Sequence, residues 1–203
     1  MQRWLNSIMT RRASGLTGRL RPWLPAGSRV ADIGSGTGHN AAHWREMLCV
    51  SVDEFDVADL HWVGDGPTLF DGRNLSVANA TYDVVTLLFV LQYSPYVPEL
   101  LAEVHRICRG RVLLIQSTCG GRWGRLWLRL REFCWGPLAF YVAAFVGAIR
   151  GQPCPLNARR LFSLDELRTL FQQAGFRICH WQPQPWPGLR VSRDLFVLER
   201  VRP

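Results

Sequence analysis

At 203 residues the chain is long enough to bury one full core and too short for two ordinary enzyme domains. All 24 basic residues are arginine, and against 16 acids they give a formal charge of +8 and a pI near 9.8. That charge favours anionic partners. With lysine absent, however, it reflects arginine-rich composition more simply than selection for phosphate, so it does not by itself point to nucleic acid. The six cysteines form no CxxC pair. Four lie in apolar stretches and read as buried, reduced thiols, and no metal site is expected. The first twenty residues lack the apolar core of a secretory signal, which fits a cytoplasmic protein, although residues 1–31 carry no acid and share that composition with organelle transit peptides.

In chain order, a basic segment over 1–27 leads into a first strand predicted at 28–33. A helix over 39–48, a second strand at 49–52, a buried central strand at 82–90 and a helix over 98–109 follow. A fifth strand is expected at 111–116. Ser163-Leu164-Asp165-Glu166 is a capping box that opens a helix over 163–174, and strands at 176–181 and 194–200 close the chain. Apolar β-branched runs alternating with helical periodicity are the mark of stacked βα units. The expected architecture is therefore one α/β domain, a doubly wound and mostly parallel seven-stranded sheet with one antiparallel strand near the end. A helical insertion over 118–160 interrupts it after the fifth strand.

At the carboxyl end of the first strand, Asp32-Ile33 runs into Gly34-Ser35-Gly36-Thr37-Gly38 and then a helix. Alternate glycines allow a tight turn and let a ligand lie against bare backbone. A dinucleotide fingerprint would need glycine where His39 stands, and a phosphate-cradling loop would need the lysine this chain lacks. The remaining reading is a turn preceded by an acid, suited to a ligand with a positively charged amino acid moiety. Asp53, 21 residues after Asp32, is placed at the end of the second strand, where a carboxylate can accept from both ribose hydroxyls. Asp71-Gly72 and Asp83 complete a set of acids at strand ends.

The series Asp32-Ile33-Gly34-Ser35-Gly36-Thr37-Gly38, Asp53, Asp71-Gly72-Arg73-Asn74-Leu75, Tyr82-Asp83-Val84-Val85, Leu91-Gln92-Tyr93 and Leu101-Ala102-Glu103-Val104-His105-Arg106 resembles the class I S-adenosylmethionine-dependent methyltransferases of the methyltransferase-11 type. The resemblance runs over 28–116 and resumes from Phe162-Ser163-Leu164-Asp165-Glu166-Leu167 to Ala174-Gly175-Phe176. It implies S-adenosyl-L-methionine as cofactor, with Asp32 and the turn through Gly34, Ser35, Gly36 and Gly38 holding the methionine part and Asp53 the ribose. Asp71 and Gly72 would read the adenine, and Leu88 and Phe89 would approach the methionine amino group by backbone. Gln92 and Tyr93 would face the transferred methyl. Family members often carry histidine where Gln92 stands, which leaves His39, His43 and Tyr93 as the nearby titratable groups. A Pro-Gly-Gly turn usual in the family is replaced by Cys108-Arg109-Gly110.

The acceptor is sought in the insertion. Arg122 to Arg131 interleaves arginine with tryptophan and leucine, and Phe133 to Ile149 carries no charge but is interrupted by Gly136-Pro137. A bilayer span wants about 20 apolar residues, so a transmembrane helix is rejected. Two alternatives stay open: a helical lid over a small apolar or amphipathic acceptor, and a segment lying in a membrane interface, arginines on the phosphates, which would make the protein peripheral to the membrane. Arginine with tryptophan also suits single-stranded nucleic acid. Against that, neither an Asn-Pro-Pro-Tyr type of motif nor a suitably placed Pro-Cys nucleophile is present, so a nucleic-acid methyltransferase is the alternative reading, beside a catalytically silent cofactor-binding scaffold.

Overall fold

The computed structural model describes residues 2–145 and 160–201. The first five strands are β1 (Arg29–Ile33), β2 (Ser51–Asp56), β3 (Thr68–Leu69), β4 (Tyr82–Leu88) and β5 (Cys108–Cys119), and they lie parallel. β6 (Phe176–Gln182), β7 (Pro185–Trp186) and β8 (Val191–Arg200) close the chain. The sheet order is β3-β2-β1-β4-β5-β8-β6, with β7 paired to β8 off this path and β8 antiparallel to β5 and β6. β1 pairs with both β2 and β4, so the order reverses there and opens a crevice at the carboxyl ends of these strands.

The inner strands are apolar on both sides and are covered on both faces. α1 (Gln2–Leu20) and α2 (His39–Leu48) cover one face, where Leu20 and Trp44 pack with Val30, Val84, Leu113 and Leu195. α3 (Val97–Ile107) and α5 (Leu164–Gln173) cover the other, where Leu101, Val104 and Phe171 pack with Val85, Leu114 and Phe196. α5 opens as its sequence dictates: Glu166 N donates to Ser163 Oγ at 3.2 Å and Ser163 N donates to the Glu166 carboxylate at 2.7 Å. This reciprocal cap satisfies two orphan donors of the first turn.

The insertion forms α4 (Gly121–Phe145), a 25-residue helix that continues through Gly136-Pro137, where an interruption was expected. Pro137 withdraws its own amide from the ladder without ending it. Residues 146–159 of the insertion, with Cys154, lie outside the described residues. β2 also exceeds its predicted end at Val52, because the acids beyond it are each answered. Glu54 pairs with Arg45 at 2.7 Å and with His61 at 2.6 Å, while Asp56 accepts from the amides of Gly36 and Val57. β5 runs past Gln116 to Cys119 because β8 pairs with it over that whole length. Of the thiols, Cys108 and Cys119 are buried, but Cys49 and Cys179 are exposed, the first in the left-handed C-cap of α2 and the second on edge strand β6.

Candidate active site

The glycine turn joins β1 to α2, and its three glycines have different tasks. Gly34 and Gly38 have φ of 73° and 77°, which side chains rarely adopt. A Cβ on Gly34 would meet Val90 Cγ2 at 2.5 Å, and one on Gly38 would meet His61 Cδ2 at 2.6 Å as well as the Val63 carbonyl. Both are thus required by the chain's own packing, from the segment after β4 and from the 57–63 loop. Gly36 faces open space, with no atom nearer than 4.0 Å to a built Cβ, and it alone leaves bare backbone for a ligand. The 57–63 loop is fastened over the turn by Trp62 N, which donates to Thr37 O at 3.2 Å.

Asp32 is 1% exposed. Thr86 Oγ1 donates to its Oδ1 at 2.6 Å, while its Oδ2 and the nearby Ser35 Oγ are buried without a partner among the described residues. Burial pushes the Asp32 carboxyl up to about 7, against the lowering effect of the Thr86 hydrogen bond. A buried carboxylate oxygen left open is costly unless something answers it. The protonated amino group of a bound amino acid moiety is the group that fits.

Asp53 does not close β2. It stands opposite Ala31 in mid-strand, three residues short of Asp56. Its Oδ2 accepts from Arg29 at 2.8 Å and from the Tyr82 hydroxyl at 2.9 Å, both from residues that begin their strands. It is an ion pair of the sheet's amino half. The acid at the carboxyl end of β2 is Asp56, whose Oδ2 accepts from Gly36 N at 2.8 Å, beside the open glycine. Burial raises its pKa, and the amides of Gly36 and Val57 oppose that. The run Asp53-Glu54-Phe55-Asp56 offers three acids, and the strand end expected at Asp53 falls at Asp56 instead.

Asp71 and Gly72 follow β3. Asp71 Oδ1 accepts from the amides of Arg73 and Asn74, each at 2.8 Å, and these hold the exposed carboxylate below its ordinary range. Gly72 is buried against Val57, just past the end of β2. At the end of β4, Leu88 is buried and Phe89 is held at φ 62° by its amide bond to Ile115 O at 2.7 Å. A non-glycine residue in the left-handed region is strained and persists because its surroundings enforce it. Arg12 of α1 lies over the Phe89 ring at 5.4 Å.

Beyond β4, Gln92 and Tyr93 meet a residue that sequence reasoning missed. Glu132 of α4 accepts from Gln92 Nε2 and from the Tyr93 hydroxyl, both at 3.0 Å, and is paired with Arg131. Gln116 of β5 donates to Gln92 Oε1 at 2.8 Å, and Arg131 donates to Ser117 Oγ at 3.0 Å. Burial first, and the Glu132 charge next, raise the Tyr93 pKa, so its phenol keeps its proton at neutral pH. The only signal for Glu132 was that it is the one acid in 118–160. His39 does not join this cluster. Its Nδ1 meets Thr37 Oγ1 at 2.9 Å and its Nε2 meets Asn6 Oδ1 at 2.6 Å, so both nitrogens are engaged in fastening α1 to the glycine turn.

Close to Glu132, two guanidinium groups approach one indole ring. Arg131 and Arg193 lie over Trp186 of β7 at 5.3 and 4.9 Å. Arg131 Nη1 and Arg193 Nε are buried donors without a partner among the described residues.

A carboxyl-edge crevice at the β1/β4 switch point, with an acid before an open glycine turn, further acids after β2 and β3 and the antiparallel β8, defines a class I S-adenosylmethionine-dependent methyltransferase. A family model described as a methyltransferase domain, Methyltransf_23, matches residues 5–180, and the chain belongs to that family. The match agrees with the class I methyltransferase resemblance read from the sequence. No curated protein sequence matches the chain.

Similar solved structures include an S-adenosylmethionine-dependent methyltransferase from Methanosarcina mazei, at 15% identity over 91% of this chain and 97% of that one, TM-score 0.62. A geranyl diphosphate C-methyltransferase from Streptomyces coelicolor is 12% identical over 94% and 80%, TM-score 0.64. The 1,6-didemethyltoxoflavin N1-methyltransferase of Burkholderia thailandensis is 17% identical over 98% and 81%, TM-score 0.61. These likenesses are of fold.

Proposed function

We propose that the chain transfers the methyl group of S-adenosylmethionine to a small amphipathic acceptor held between Gln92–Tyr93 and α4, with α4 as the lid of the site. The observation that carries this reading is the reach of α4. Leu128 packs with Cys119 and Val191, Glu132 bonds Gln92 and Tyr93, and Phe140 packs with Leu60 in the loop over the glycine turn. From Leu128 to Phe140 the helix advances about 18 Å, enough to cross from the acceptor end to the cofactor end.

In this reading Asp32, Gly36, Asp56, Asp71, Gly72, Leu88 and Phe89 hold the cofactor, and Gly34, Ser35 and Gly38 shape the turn. The cofactor supplies a methyl already activated on a sulfonium. The protein's part is alignment, worth on the order of 7–11 kcal/mol in an ideal case. Gln92 and the protonated Tyr93 orient the acceptor, and neither is assigned as a base. Calorimetric titration with S-adenosylmethionine, with NAD as control, followed by detection of S-adenosylhomocysteine release over a panel of amphipathic small molecules and short RNAs, tests it. Turnover with RNA alone would overturn the small-acceptor reading.

The outer face of α4 favours peripheral membrane contact as a second reading. Trp123, 80% exposed, begins a stripe with Leu126, Trp127, Leu130, Leu138, Tyr141 and Phe145, and the exposed Arg122, Arg125 and Arg129 flank its first half. Such a face suits the interface of an anionic bilayer. Among the described residues no helix is long and apolar enough to cross one. Sedimentation with phosphatidylserine liposomes at low salt, lost at high salt and in a Trp123→Ser/Trp127→Ser variant, is the expected result. No sedimentation at low salt would leave a simple lid.

A further inference from the structure

We infer that the acceptor carries an oxyanion, a carboxylate or a phosphate, and that Arg131 and Arg193, both over the Trp186 ring, bind it, with Arg12 at the mouth of the same site. This rests on the acceptor reading above and names the acceptor's polar end. Arginines from three elements meet here: Arg131 from α4 and Arg193 from β8 at Trp186, with the Arg12 charge of α1 felt at Arg193. Among the described residues Arg131 pairs only with Glu132, while neither Arg12 nor Arg193 makes an ion pair.

Three guanidiniums here share the single carboxylate of Glu132, and gathering like charges around so little counter-charge is unfavourable. The Arg193 guanidinium registers it: its pKa is lowered by burial first, then by the charges of Arg131 and Arg12. Placement over the Trp186 ring offsets part of that cost. It leaves two donors, Arg131 Nη1 and Arg193 Nε, buried and unanswered. An oxyanion would add the negative charge that one carboxylate leaves short and would offer acceptors to these donors.

The position also fits the acceptor site. Arg193 lies directly across from Ser117 in the β5/β8 ladder, and Arg131 Nη2 donates to that serine's Oγ. Arg131 in turn holds Glu132, which carries Gln92 and Tyr93. An anion on the two arginines would therefore stand next to the groups that orient the acceptor, and away from the glycine turn, where Asp32 and Asp56 add negative charge.

The test is calorimetric binding of octyl phosphate, octanoate, octanol and inorganic phosphate to the full chain saturated with S-adenosylhomocysteine. Octyl phosphate or octanoate should bind at least tenfold more tightly than octanol, and also more tightly than inorganic phosphate. Arg193→Gln and Arg131→Gln should each abolish the preference over octanol, while binding of S-adenosylhomocysteine itself, measured separately, stays unchanged and certifies the fold. Equal affinity for the charged and neutral amphiphiles would overturn the inference without help from any variant. So would a preference that survives both substitutions, or inorganic phosphate binding as tightly as octyl phosphate, which would leave the tail without a role. Loss of S-adenosylhomocysteine binding in the parent chain would instead count against the methyl-transfer reading.

Discussion

The two halves of the same sheet treat their acids in opposite ways. In the amino half, Asp53 is met by Arg29 and Tyr82, and Asp83 accepts from Arg109 and from the Arg29 amide. These carboxylates are satisfied by the protein and ask for nothing more. In the carboxyl half, Asp32 keeps one buried oxygen open and Asp56 is held by backbone amides alone, its Gly36 partner lying in the open part of the turn. Acids of the same type on one sheet are thus fastened at one end and left open toward the crevice at the other. What separates them is whether the fold has already supplied the opposing charge.

The largest break in this contrast should come from Asp32→Asn. In the proposed reading, removing the Asp32 charge should weaken S-adenosylmethionine binding by about 1.5–3 kcal/mol, read by calorimetry. The native residue should also make affinity depend on pH. With the free carboxyl pushed up to about 7, binding the cationic amino group requires deprotonation, so affinity falls as pH drops below 7, and Asp32→Asn removes that slope.

The same shift has the opposite sign for the ligand-free fold. A folded pKa of about 7 above the ordinary 3.8 contributes stability that is fully present below pH 3.8 and lost as pH rises through 7. Thermal melts should therefore show that the gap between Asp32→Asn and the parent chain widens toward pH 8. Asp56→Ala should weaken cofactor binding less, by about 1 kcal/mol, through the lost hold on Gly36. Asp53→Ala should leave cofactor affinity unchanged and cost about 0.2–1 kcal/mol in denaturant unfolding, as a half-exposed ion pair does. A cofactor defect in Asp53→Ala matching that of Asp56→Ala would erase the distinction between the two halves.

Much of this was legible in the chain itself. The strands β1, β4 and β8, the capped α5 and the acid–glycine turn all follow from local patterns that tertiary packing does not override. Asp53 was misplaced because a strand ending in Asp-Glu-Phe-Asp looks like a loop until Arg45, His61 and the Gly36 amide are seen to answer its acids. β3 and β7 are two residues each, too short for a period to register. Glu132 meets Gln92 and Tyr93 across 40 and 39 positions, Arg131 meets Trp186 from another element farther along the chain, and no local pattern encodes such meetings. The uneven duties of the three glycines, too, are visible only once Val90 and His61 occupy the space beside two of them.

The contact between Phe140 and Leu60 has a kinetic consequence. A single helix that rests on the loop over the glycine turn at one end and on Gln92 and Tyr93 at the other cannot swing away from one without loosening the other. Departure of the spent cofactor and of the methylated product would then share one opening event, and turnover would follow the rate of that motion more closely than the rate of methyl transfer. Phe140→Ala, by cutting one of the two moorings, should speed that exchange while admitting more water to the site.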